Sequence, residues 1–213
     1  MPKKTFFNLP AEKRNSIISA AMYEFSAHSY KTASINVICR ESGIAKGSFY
    51  QYFADKLDLY VYIMTLAIEE KIRFFSSALS ESNNPGLTEQ IRMLFLKGVE
   101  FSKKHPLFAA LGEQFSKEDD ESAKSAVIRE GGKLSGSLFL QMIQDAKDRG
   151  EIDGGIDPFA LSLLLQSLNS AVSMYMHDRF DNTGYEINKE EVDNFVDSLL
   201  NILVHGIRIK NSI

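Results

Sequence analysis

The sequence predicts an all-α fold, with a three-helix head that contains a helix-turn-helix followed by a C-terminal helical bundle. Three observations lead there. Apolar residues recur at helical spacing along nearly the whole chain. No run alternates with period two, and no hairpin turn chemistry joins two such runs. The breaks between periodic segments are rich in Gly, Pro, Asn and Asp, as in Asn83-Asn84-Pro85-Gly86, His105-Pro106, Gly154-Gly155 and Asp181 to Gly184.

The elements follow in order. Pro10 marks a helix start, and Ile17, Ile18, Ala21, Met22 and Phe25 fall on one face of an amphipathic helix over about Pro10 to His28. Ser34 is a good N-cap for a short second helix that carries Val37, Ile38 and Cys39 inward and ends at Ser42-Gly43. A third helix is expected over about Ala45 to Tyr52. Asp55 can cap the next one, with Asp58 adding charge that suits the helix dipole, and this long helix runs through Leu59, Ile63, Leu66, Ile68 and Phe75 to about Ser80. Five more are expected at about Leu87 to Lys104, Pro106 to Phe115, Ser122 to Arg149, Asp157 to Phe180 and Asn188 to Lys210. Gly131, Gly132 and Gly136 fall inside one of them. Each costs about 1 kcal/mol against Ala there, which predicts a kink or break. The expected domains are a head over 1–56 and a body over 57–213.

With 213 residues the chain can bury a core without disulfides or metal. Its one cysteine, Cys39, cannot form an internal bridge and is read as a small core residue. Lys3 and Lys4 are followed by no apolar signal region, so a cytoplasmic compartment is expected. The most apolar stretch, Phe159 to Met176, is interrupted by Gln166, Asn169 and serines and is short for a membrane span, so no membrane partner is expected. The net charge of -4 hides a division. Residues 1–56 hold eight Lys/Arg against four acids, a net of +4, and the remainder carries -8. A basic head on an acidic body is the electrostatic pattern of a phosphate-binding module joined to a different domain, although chance clustering on a solvated face produces it too.

Function is concentrated in Ser34 to Lys56, S-I-N-V-I-C-R-E-S-G-I-A-K-G-S-F-Y-Q-Y-F-A-D-K, whose spacing is helix, tight glycine turn, helix. Val37, Ile38, Ile44, Phe49 and Phe53 are the apolar set that fixes the two helices, and Gly43 gives the turn its backbone freedom. Lys46, Gly47, Ser48, Tyr50, Gln51 and Tyr52 are then left outward on the third helix. Such short, polar residues suit a helix lying against a groove wall.

The run G-I-A-K-G-S-F-Y-Q-Y-F-A-D-K resembles the signature of the TetR family of transcriptional regulators, over roughly the first quarter to third of the chain. Arg149 to Leu165, R-G-E-I-D-G-G-I-D-P-F-A-L-S-L-L-L, resembles less diagnostically the entry to such regulators' penultimate helix. The resemblance implies an all-helical homodimer with a three-helix DNA-binding head, and a body holding an effector pocket and the dimer interface. It further implies repression of a palindromic double-stranded operator, released by a small apolar or amphipathic effector, with no cofactor. Matched residue by residue, Thr32, Ser34, Lys46, Tyr50, Tyr52 and Lys56 fall on positions that meet phosphates. Gly47, Ser48 and Gln51 fall nearest base edges, and Gln51 can pair bidentately with adenine. The chain departs from the common pattern at Ala45, where Ser often caps the recognition helix, and at Tyr52, where His is frequent.

In the body, Ala160 to Met176 and Val192 to Ile207 carry wide apolar faces. These serve either burial within one subunit or a four-helix interface with a second copy, which is the expectation adopted. Candidate effector contacts are Phe74, Phe95, Phe108, Phe139, Met142 and Met174, aromatic and sulfur-bearing residues able to line an apolar cavity. Two other classes compete. A helical interaction adaptor fits the body but leaves the basic head unexplained. An enzyme would need a site assembled from distant residues, since the four histidines form no metal-binding pair and no nucleophile or phosphate-loop motif occurs. Neither a catalytic nor a metal site is expected.

Overall fold

The structure is a computed structural model and describes residues 1–80, 85–179 and 189–205. Within these residues all regular structure is helical: α1 (Lys4–Phe7), α2 (Ala11–Ala27), α3 (Ile35–Glu41), α4 (Lys46–Tyr52), α5 (Lys56–Ser80), α6 (Leu87–Lys104), α7 (Pro106–Ser116), α8 (Glu121–Asp148), α9 (Pro158–Arg179) and α10 (Lys189–His205). The predicted breaks at Asn83-Asn84 and Asp181 to Gly184 lie outside the described residues, as do Asn188 and the predicted end of the last helix. None of the described helices is long and apolar enough to cross a membrane.

The chain divides into two compact units, Met1–Ile72 with His105–Ser135 and Arg73–Lys104 with Gly136–Ile213. The core of the first is built where the amphipathic pattern placed it. Ile17, Ala21 and Phe25 of α2, Ile38 and Cys39 of α3, and Phe49 of α4 are buried with Leu59, Tyr60 and Ile63 of α5. Each large apolar side chain among them contributes about 1.5–3 kcal/mol by leaving water. Three helices alone do not close this core. α7 packs along α2 through Leu111, and the first turns of α8 add Ala123, Ala126 and Val127.

Two expectations need correction. Residues Lys4–Phe7, expected to precede any helix, form α1, because Phe6 buries its ring completely between Phe53 and Tyr62, 4.9 and 5.5 Å away between centroids. The predicted kink in α8 is absent, since the helix runs unbroken from Glu121 to Asp148. Gly131 has a packing reason instead. A Cβ there would lie 2.2 Å from Cδ1 of Ile68 on α5, so the glycine lets the two helices approach.

The second unit packs Ile91, Leu94 and Phe95 of α6 with Phe139 and Ile143 of α8, Leu165 and Val172 of α9, and Val192 and Val196 of α10. Arg92 joins Asp197 of α10 at 2.7 Å, and Glu151 accepts the backbone N–H of Leu87 at the start of α6, at 2.6 Å. The wide apolar stripe of α10 is therefore largely consumed inside this unit. On α9, by contrast, Phe159, Leu163 and Leu164 stay exposed, at 69%, 57% and 47%.

Candidate nucleic-acid interface

The turn between α3 and α4 is made by its backbone. Ser42 donates its N–H to Ile38 O, Gly43 to Arg40 O and Ile44 to Cys39 O, while Gly43 sits at φ +67°, a left-handed conformation that a β-carbon penalises. Ser42 Oγ adds a 2.6 Å bond to Ile38 O. Beneath the turn, burial pushes the Cys39 thiol up and Lys46 pulls it back down. Cys39 is 4% exposed, in keeping with a core residue.

Around this turn the outward residues are Lys46, Gly47, Tyr50 and Gln51, with Ser48 half-buried. Tyr50 is 45% exposed and stands edge-on to Phe49, which fixes its ring. Gly47 occupies a helix position where a Cβ would meet nothing within 4 Å, so nothing inside the protein requires it. Ser34, Asn36, Lys46, Tyr50 and Lys56 surround a shallow depression of about 200 Å3, with Ala33 and Ile35. The head's side-chain ion pairs, Lys31 with Asp119 and Arg40 with Glu41, leave Lys46 and Lys56 outside them.

Tyr52 departs from expectation. It is 8% exposed and lies against Phe6, so it joins the core and leaves the outward set. Its i, i+3 spacing from Phe49 carried that signal, since 49, 52 and 53 share one helical stripe. The hydroxyl of Thr32 is exposed and bonded to Ser29, whereas Ser34 Oγ caps α3 by accepting from Val37 N at 3.4 Å. Lys56 is engaged as well. Its ammonium donates to Lys31 O and Ala33 O, both at 3.1 Å, and lies 4.6 Å from the centroid of Tyr30.

This last contact belongs to a set that holds the segment between α2 and α3. Buried Glu24 accepts the N–H of Ser34 at 2.7 Å. From the turn before α8, Glu118, only 3% exposed, accepts the N–H of Tyr30 at 2.7 Å and that of Asp120 at 2.9 Å. Burial raises the Tyr30 hydroxyl pKa first, and Asp55, Asp120 and Glu118 raise it further. Glu118 went unmarked in the sequence because it sits in a run of acids that otherwise reads as a solvated loop, and its partner at Tyr30 is 88 positions away.

The effector candidates separate. Phe95, Phe139 and Met142 are buried in the core of the second unit, with Phe74 partly buried beside them. Phe74 also lies 5.6 Å from the ammonium of Lys104. Phe108 packs in the first unit. The side chain of Met174 lies outside the described residues.

Comparison with known proteins agrees with this geometry. Residues 17–63 match the N-terminal domain of the bacterial regulatory proteins of the tetR family. The HTH-type transcriptional regulator HbdR of Aromatoleum sp. (strain CIB) is 47% identical over 51 residues, which are 24% of this chain and 22% of that protein, so the match spans less than a quarter of that regulator's length. A TetR family transcriptional regulator from Chloroflexus aurantiacus is 27% identical, with a TM-score of 0.62 over 99% of this chain and all of that one. The transcriptional regulator FadR of Bacillus subtilis, solved in complex with stearoyl-CoA, shares the fold at 17% identity, with a TM-score of 0.68 over 91% of this chain and 99% of that one. The helix-turn-helix around Gly43 lies within the matched residues, so the head is a DNA-binding domain of the tetR-family type, and the chain shares the all-α architecture of TetR family transcriptional regulators.

Proposed function

We propose that the protein is a cytoplasmic, ligand-responsive repressor that binds a palindromic operator as a homodimer, with residues 1–56 as the DNA-binding domain and 57–213 as the effector and dimerisation domain. One observation carries the DNA interface. Lys46, Tyr50, Ser34 and Lys56 converge on one depression beside α4, with no carboxylate among the described residues paired to either lysine. In this reading Lys46 and Tyr50 contact phosphates, as do Thr32 and Ser34 from the start of α3, and Lys56 contributes its charge while its ammonium holds the α2–α3 segment. Ser48 and Gln51 face the bases, and the bare surface at Gly47 lets the groove wall approach. Tyr52 acts through packing.

The test uses a duplex that the wild-type chain itself selects from a random-sequence pool. Lys46→Ala is expected to weaken binding about tenfold and to lower the slope of log affinity against log salt by about one. Wild-type affinity and slope in both Lys46→Ala and Tyr50→Ala would overturn the assignment.

The dimer reading rests on α9. Phe159 and Leu163 stand one turn apart, Leu164 continues the row, and the exposed small residues Ala160, Ser167 and Ala171 leave room for a neighbouring helix. A second copy of the chain covers such a face symmetrically. Light scattering at micromolar concentration should give a dimer for the wild type and a monomer for Leu163→Glu with Leu164→Glu. A monomeric wild type sinks the proposal.

For the effector, the apolar cluster around Phe95, Phe139 and Met142 supplies wall material for an apolar or amphipathic molecule. Effector binding would act by preferring the head arrangement that fits DNA poorly.

A further inference from the structure

The last carbonyls of a helix find no partner within it, and a helix of seven residues is too short to hold its own end. In α4 three of these carbonyls are taken from one place. Lys3 Nζ donates to Tyr50 O at 2.8 Å, Thr5 Oγ1 donates to Gln51 O, and Lys3 N donates to Tyr52 O at 2.8 Å. The fourth external feature is the anchor. Phe6 is fully buried against Phe53, so α1 cannot leave α4 without exposing an aromatic ring. The Lys3 ammonium also lies at the negative end of the α4 dipole, where a cation is stabilising. Two of the three carbonyls held belong to residues whose side chains point outward, Tyr50 and Gln51, and the third to buried Tyr52.

We propose that Lys3 and Thr5 are positioning residues for DNA recognition, fixing the C-terminal turn of α4 so that Tyr50 and Gln51 meet the groove in one orientation. The proposal rests on the reading of α4 as the recognition helix. Lys3 and Thr5 touch the protein backbone and not the bases, so their effect is on discrimination. A frayed last turn presents Gln51 in many orientations, which weakens base readout, while the phosphate contacts that dominate non-specific binding tolerate the disorder.

The experiment compares the full-length wild type with Lys3→Met, Thr5→Val, their combination and Lys3→Arg, leaving Phe6 intact so that α1 stays docked. The probes are the duplex selected by the wild type and a scrambled duplex of equal length. The double variant is expected to lose about tenfold in affinity for the selected duplex, from two lost hydrogen bonds, with the scrambled duplex bound nearly as before and Lys3→Arg close to wild type. Equal weakening on both duplexes overturns the proposal, because Lys3 would then act as a charge alone. So does unchanged binding to both. Hydrogen exchange in the absence of DNA decides the same point independently. The amide of Phe53, which donates to Phe49 O at 2.9 Å, should exchange faster in the double variant, and unchanged protection overturns the clasp whatever the DNA result. Failure of the underlying reading looks different: Lys46→Ala and Tyr50→Ala would both keep full affinity for the selected duplex.

Discussion

Replacing Phe53 by alanine is expected to lower the unfolding free energy by about 3–5 kcal/mol and to abolish DNA binding with it. The ring is fully buried at the C-cap of α4. Its centroid lies 4.9 Å from Phe6, 5.4 Å from Phe49 and 6.4 Å from Tyr62, so one side chain ties α1, α4 and α5 together. Alanine leaves a cavity bordered by three aromatic rings, which cannot collapse into it without disturbing contacts such as the edge-to-face pair of Phe6 and Tyr62. Urea denaturation followed by circular dichroism measures the loss. Stability within about 1 kcal/mol of wild type would mean that the aromatic cluster repacks and that α4 is held in some other way.

The second large effect is expected at Glu118. Alanine there removes the acceptor of two partly buried N–H groups, on Tyr30 and Asp120, and each group left unsatisfied costs on the order of 1 kcal/mol. Glutamine keeps one acceptor oxygen, so Glu118→Gln should fall between alanine and wild type. Two readouts separate this from generic destabilisation. The pKa of the Tyr30 hydroxyl, raised first by burial and further by Asp55, Asp120 and Glu118, should fall in Glu118→Gln as one nearby negative charge disappears, an effect visible by absorbance at alkaline pH. Operator binding should weaken as well, because Thr32 and Ser34 sit on the segment that Glu118 holds. A Glu118→Ala chain with wild-type stability and an unchanged Tyr30 titration would show that water replaces the carboxylate at no loss.

How much of this was legible beforehand depended on the range of the interaction. The helices α2, α3 and α4 were readable because their information is local: apolar spacing from Ile17 to Phe25, a cap at Ser34, and a glycine at the turn whose observed φ is +67°. The outward positions of Lys46, Tyr50 and Gln51 followed from the same periodicity. α1 was not readable, since four residues carry no period and its stability comes from Phe6 meeting rings some fifty positions away. Glu118 was hidden for the same reason. Gly131 was misread because a glycine in a helix looks like a weakness until the neighbour that needs the space, Ile68, is known. The effector candidates show the reverse case. Aromatic residues at helical spacing have the same pattern whether they line a cavity or fill a core, and Phe95, Phe139 and Met142 are buried in one.

The exposed row on α9 has a consequence for dose. If the DNA-competent form is a pair of chains joined through Phe159, Leu163 and Leu164, its abundance rises with the square of chain concentration while most chains are single, and only in proportion once most are paired. Operator occupancy would then switch over a narrower range of expression than one independently binding head permits. Weakening that row by a single side chain would move the threshold without altering any contact to DNA.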